Sequence, residues 1–254
     1  MKQIGYYRRK FTSPGQTGDA FCCNSPGVTY IFRECLFDLS AWPLDKIDEA
    51  ASIVQGANAR VERCVFRGAG KLVLLGTGDP EDRPAERKTW ATFRHCLFEN
   101  FSRRGPEVQS GMYAGLHKCV IRNWGEPSRF DVRSFGAWAH DGGRLVMQSC
   151  VFDQPKFWRG WRQMLADMIA SIGQAWNDEC LRGLLRPSTY LPGVCRAAFA
   201  TAGGRVTVSN SRGLRWWIRF PGRWSRMPKA EAMALVAEIE KMAAEVEKNA
   251  EEPE

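Results

Sequence analysis

Apolar and polar residues alternate in short segments that recur along the chain: VTYIFRE (28–34), ARVER (59–63), WATFRH (90–95), GLHK (115–118) and RLVMQS (144–149). A period of two places every second side chain on one face of a strand, so each segment predicts a short strand with one face in a core. All five end one residue before a cysteine, and in all five the thiol is followed by two apolar residues. The cysteines stand at 35, 64, 96, 119 and 150, at intervals of 29, 32, 23 and 31, and Asn210 occupies the same place in a sixth copy, VSNSR. Self-similarity at that period is the mark of a solenoid, whose units bury their apolar faces only by stacking on one another. Gly27, Gly56, Gly111 and Gly142 fall between the units. One strand-rich coil per repeat predicts a parallel β-helix, with equivalent residues of neighbouring coils roughly 4.8 Å apart.

Five cysteines at one turn position read as a ladder of small packing units, because a free thiol behaves as a compact hydrophobe. A metal site is the weaker reading: no CxxC pair occurs, and His95, His117 and His140 lack zinc-finger spacing. Nine cysteines, an odd number, cannot all pair within the chain. Disulfides between neighbouring coils remain open, since the strand spacing lies within disulfide reach.

Two segments leave the period-two pattern. In 156–187, Phe157, Trp161, Met164, Leu165, Met168, Ile169 and Ile172 recur at helical spacing. That predicts an amphipathic helix covering a flank or end of the solenoid, the alternative being a basic aromatic helix on a membrane surface. After Pro228 the chain turns to Ala, Glu, Lys and Met, strong helix formers, with Met233, Val236, Ile239, Met242, Ala243 and Val246 on one stripe. The expected organisation is therefore β coils over 1–155, a helical insertion over 156–187, a last coil and a Trp/Arg-rich segment over 188–224, and a C-terminal acidic docking helix over 225–254.

Charge narrows the partners. The chain of 254 residues carries +8, but the segment from Lys229 holds eight Glu against three Lys, so the body before it carries about +13. A field of one sign concentrates ligands of the other, which points to an acidic polysaccharide, nucleic acid or anionic lipid. No segment has 18 consecutive apolar residues, and no signal-peptide run opens the sequence.

GDAFCCNSPGVTYIFRECLF (18–37), DEAASIVQGANARVERCVFRGAGKLVLLGTGD (48–79) and WATFRHCLFENFSRRGPEVQSGMYAGLHKCVIRNW (90–124) resemble successive coils of the pectate and pectin lyases of polysaccharide lyase family 1. The most specific piece is FENFSRRGPEVQSG, joined to the GLHKCVI coil. The resemblance implies a mainly β fold, a right-handed parallel β-helix, here with an inserted amphipathic helical segment and a C-terminal helix. It implies that cysteine stands where the family places a ladder asparagine, kept only at Asn210. It also implies cleavage of an acidic uronan by β-elimination and, in the family, an extracellular location. Family members have several coils before the GDAI coil, whereas this sequence starts about one coil ahead of Gly18. The expectation is an open end that meets a protein partner or a second copy, or a reading frame that starts further upstream.

Such a lyase needs a base for the proton on carbon 5 and cations for the charge that develops on the carboxylate. By resemblance, Arg104 is the base and Lys71 a second catalytic cation, while Gln109 replaces one family arginine. The pectate lyase calcium position retains only Asp48, with Arg33 and Ser52 at the other ligand positions, and one carboxylate is too few for a hard cation. No cofactor is therefore expected. Arg33, Lys71 and Arg104 are expected to form a calcium-free basic cluster, with Trp90 and Trp124 lining the substrate groove. Trp42 flanks the matched coils as well. His95 and His117 are read as structural, and Asp79 as a turn former. Two readings stand side by side: a uronan lyase, and a non-catalytic β-helix that binds an anionic glycan or serves as an assembly module. Nucleic-acid binding, suggested by the basic body and by GLRWWIRFPGRW (213–224), is the weakest.

Overall fold

The computed structural model describes residues 2–15, 18–43, 46–77, 89–101, 104–124, 136–139, 142–153, 198–200, 205–209, 215–218 and 229–251. The expected helix in 156–187, Asp79, His140 and Asn210 lie outside the described residues.

Six successive three-strand coils follow one another. They comprise β1 (Gln3–Tyr7), β2 (Lys10–Phe11) and β3 (Phe21–Cys23); β4 (Thr29–Arg33), β5 (Leu36–Asp38) and β6 (Glu49–Ile53); and β7 (Asn58–Glu62), β8 (Val65–Arg67) and β9 (Lys71–Leu75). Next come β10 (Trp90–Arg94), β11 (Leu97–Phe101) and β12 (Glu107–Val108); β13 (Tyr113–His117), β14 (Val120–Trp124) and β15 (Ala137–Ala139); and β16 (Arg144–Gln148), β17 (Val151–Asp153) and β18 (Ala198–Ala200). Two further strands, β19 (Arg205–Ser209) and β20 (Arg215–Ile218), and one helix, α1 (Lys229–Asn249), complete the described elements. Each strand pairs in parallel with its counterpart one coil away, giving three sheets: β1-β4-β7-β10-β13-β16-β19, β2-β5-β8-β11-β14-β17 and β3-β6-β9-β12-β15-β18. Among the described strands only β20 runs antiparallel, on β19. The fold is the expected parallel β-helix.

The turn from the first sheet to the second repeats one backbone device. Arg8, Glu34, Arg63, His95, Lys118 and Ser149 all have φ between 50 and 55°. Left-handed backbone costs an ordinary residue roughly 1–2 kcal/mol, and here it swings the next residue inward in every coil. After Arg8 that next residue is Arg9; after the other five it is the ladder cysteine, and Cys35, Cys64, Cys96 and Cys119 are fully buried. All five are free thiols. They also do more than pack: each Sγ donates to the carbonyl two residues earlier, at 3.3 Å for Cys64 and Cys96 and up to 3.5 Å for Cys119 and Cys150.

Inside the second sheet, Phe37, Phe66 and Phe98 stack with ring centroids 4.5 and 5.2 Å apart. On the strands of this sheet Leu36, Val65, Leu97, Val120 and Val151 face the other way and are buried too. What covers this side is α1, whose Ala232, Leu235, Ile239, Met242, Ala243 and Val246 belong to the same core cluster. The expected stripe is thus shifted at its start: Met233 is 60% exposed, and Ala232 and Leu235 are buried in its stead. A column of alternating charge runs beside it, with Arg67 2.7 Å from Asp38 and Arg122 2.8 Å from Glu99. Helix carboxylates join that column, Glu247 on Arg67 at 2.6 Å and Glu240 on Arg122 at 2.5 Å. The acidic C-terminal segment therefore docks on its own basic body. At its end Glu251 exchanges backbone hydrogen bonds with Arg8 and Lys10, so the chain supplies its own partner at the turn of the first coil.

Candidate active site

The chemistry expected of Lys71 and Arg104 gathers at one edge of the third sheet. Gly18, with φ 86°, brings the first coil close to the second, and its carbonyl accepts from the Asp48 amide at 2.9 Å. Asp19 follows; its carboxylate accepts from the Glu49 amide at 3.0 Å. On the next coil Lys71 pairs in register with Glu49, and on the fourth the Arg104 carbonyl accepts from the Val73 amide at 2.7 Å. Four successive coils thus each contribute to one cluster.

Its polar contacts are dense. The Lys71 ammonium touches the Asp48 carboxylate and lies 3.6 Å from Glu49. The Arg104 guanidinium touches Glu49 through Nη1 and faces Glu107 through Nε at 2.6 Å. Asp19, Glu49 and Glu107 are buried. Burial, partly offset by Arg104 and reinforced by neighbouring Asp19, pushes the Glu49 carboxyl up from 4.5 to about 7. Like charges crowded in a poorly hydrated site raise a carboxyl in this way.

These contacts alter the expected calcium arithmetic. Asp48 is not alone: one oxygen each from Asp19, Asp48 and Glu49 lies within 4.8 Å of the others. Together with Glu107 there are four carboxylates against Lys71 and Arg104, a net charge of −2 when all are ionised. Such a site repels an acidic polymer, and one divalent cation would neutralise it. Oxygen-only donors suit a hard cation such as calcium. A donor set of that kind is present, with Lys71 on Asp48 and Arg104 on Glu49.

Arg33 is not part of this cluster. It ends β4 on the outer face of the first sheet, with Nε 3.3 Å from Glu62 and its guanidinium 6.0 Å from the Tyr7 ring centroid. Trp90 lies on that same face, with the Arg60 guanidinium 5.4 Å from its ring centroid. Arg33, Arg60, Glu62, Trp90 and Arg94 help line a groove of about 470 Å³ there. Gln109 is also elsewhere: it is buried, and its amide donates to the Gly76 carbonyl at 2.7 Å. Trp124 is 5% exposed and packs edge-on against Phe152, a core residue and not a groove wall. Ser52 is buried in register with Leu74. Trp42 is 40% exposed and donates to the Thr12 carbonyl at 2.6 Å. His95 and His117 meet edge to face at 6.2 Å, and His95 lies 3.7 Å from Glu238 of α1, a structural placement.

Asp19 and Glu49 are the residues that reading the motifs passed over. Phe21 pairs with Ala51 and Asp19 meets Glu49, thirty residues away, whereas the ladder cysteines Cys35 and Cys64 are 29 apart, so spacing from the ladder does not by itself bring the two together.

No protein-family model and no curated protein matches the chain. Among solved structures, it is similar to a pectate lyase from a Bacillus species in complex with trigalacturonate, at 15% identity and a TM-score of 0.51, over 94% of this chain and 66% of that one. A thermostable pectate lyase gives 13% identity and a TM-score of 0.47, over 87% and 52% of the two chains. A doubly substituted pectate lyase from Xanthomonas campestris gives 12% and 0.46, over 88% and 64%. The chain spans about half to two thirds of the length of these structures. The first likeness shows a pectate-lyase-like β-helix.

Proposed function

We propose that the chain binds an acidic, uronate-bearing polysaccharide at the Asp19 to Arg104 edge of its third sheet and cleaves it by β-elimination, assisted by a divalent cation. The observation that carries this reading is the convergence of Lys71 and Arg104 on three carboxylates from neighbouring coils. Arg104, which stands where the resembling family has its base, first gives its own proton to water and in that neutral form takes the proton from carbon 5. The electron pair released forms the double bond between carbons 4 and 5 as the glycosidic oxygen leaves and is protonated by water. Lys71 stabilises the negative charge that builds on the uronate carboxylate during proton removal. Glu49 and Glu107 hold the guanidinium plane of Arg104 from two sides. Asp19, Asp48 and Glu49 would hold the cation, which supplies positive charge for the substrate carboxylate. The trigalacturonate bound by the Bacillus lyase supports the substrate class by analogy of fold.

The test is the ultraviolet absorbance of unsaturated product from polygalacturonate and from methylated pectin, with calcium and with chelator. Product from polygalacturonate with calcium, lost in Arg104→Lys at unchanged melting temperature, is the expected result. No product from either polymer under any condition overturns the lyase reading. It would favour the non-catalytic reading, in which Arg104, Glu49 and Glu107 are a structural ion-pair network.

A further inference from the structure

The groove on the outer face of the first sheet is separate from the carboxylate cluster, and its charge has the opposite sign. Arg33, Arg60 and Arg94 stand against the single carboxylate of Glu62, a net of +2. In register, Arg33, Glu62 and Arg94 occupy one row on β4, β7 and β10, so Arg33 and Arg94 lie two strand spacings apart, roughly 9.6 Å. Arg60 lies between them, two residues back along β7. Glu62 engages Arg33, whereas among the described residues neither Arg60 nor Arg94 has a carboxylate partner. All three arginines are exposed.

The aromatic rings here serve the arginines. Arg60 lies over Trp90 and Arg33 over Tyr7, so the guanidinium groups are held by ring faces. A stacked guanidinium keeps its N–H fork free in its own plane, the geometry that takes a carboxylate with two hydrogen bonds. Arg60 already occupies one face of Trp90, which leaves a base less ring to stack on and disfavours single-stranded nucleic acid. Cationic forks repeating along a parallel sheet suit a linear polymer that presents carboxylates at similar intervals.

We propose that this groove is a second binding site for the carboxylates of an acidic polysaccharide, centred on Arg60 and Arg94 and remote from Lys71 and Arg104. The ligand class rests on the lyase reading above; the site itself does not. It would hold the polymer on one face of the solenoid while the third sheet works on another stretch or another chain.

The experiment measures polygalacturonate binding to the full chain by calorimetry in chelator, which leaves the acidic cluster without its cation. The wild type is expected to bind, and the Arg60→Gln/Arg94→Gln double variant to bind about tenfold more weakly, as the loss of charge-assisted hydrogen bonds implies. The double variant is expected to keep wild-type turnover of short soluble oligogalacturonates with calcium. Arginine-dependent binding without any turnover would sustain this site and sink the lyase reading. No binding by the wild type in chelator, or equal affinity in the double variant, would overturn the site. Tighter arginine-dependent binding of single-stranded DNA than of polygalacturonate would overturn the ligand assignment.

Discussion

Replacing Glu49 by glutamine probes the acidic cluster through stability alone. The Glu49 side chain is 2% exposed, and its folded-state pKa is about 7 against 4.5 for the free group, with burial the main cause. The folded protein therefore holds this proton more tightly than the unfolded chain does. Its contribution to stability is fully present below about pH 4.5 and is lost as pH rises through about 7. The interval corresponds to about 3 kcal/mol. Glutamine keeps the shape of the protonated side chain and does not titrate. Arg104 keeps Glu107 in the variant, so no cation is stranded. Urea unfolding in chelator at pH 4.5 and pH 8 should show the variant gaining about 3 kcal/mol on the wild type across that range. A difference between the two proteins that stays constant with pH would refute the argument.

Other expectations follow from the coil architecture. Phe66→Ala opens a cavity between Phe37 and Phe98 and should cost about 3–5 kcal/mol in urea unfolding. Arg67→Ala removes partners of Asp38 and of Glu247 on α1, and should cost about 2 kcal/mol and speed amide hydrogen exchange within α1. Burial raises the Cys64 and Cys119 thiols well above their ordinary value, so a thiol reagent mapped by mass spectrometry should label them only after unfolding.

The coil pattern was legible because strand alternation and ladder spacing are local. A residue such as Glu34 or His95, which takes left-handed backbone before each cysteine, stands at a fixed offset that the sequence displays. The docking of α1 was legible from its stripe, but which turn it begins on depends on the ridge of Leu36, Val65 and Leu97 that it covers. The site was half legible. Lys71, which opens β9, and Arg104, three residues before β12, both reach Glu49. Arg33 was assigned to their cluster by motif position, although alternation along β4 puts it on the outer face of another sheet. Glu49 opens EAASI, a strand buried at every position, so nothing in its own run marks it as reactive. Its meeting with Asp19, one coil and thirty residues away, exists only in the stack. Gln109 was placed among the substrate-binding residues by its motif position and Trp124 by its type, yet a carbonyl and a ring within the stack engage them.

The central claim is that Asp19, Asp48 and Glu49 form a cation-binding site facing Lys71 and Arg104, and calorimetric titration of the full chain with calcium tests it directly. Because Glu49 has a pKa of about 7, binding near pH 7 should release about half a proton, seen as heats that differ between buffers, and almost none at pH 9. Asp48→Asn should weaken the binding at both pH values. No calcium heat at either pH, or binding indifferent to Asp48→Asn, would contradict the account.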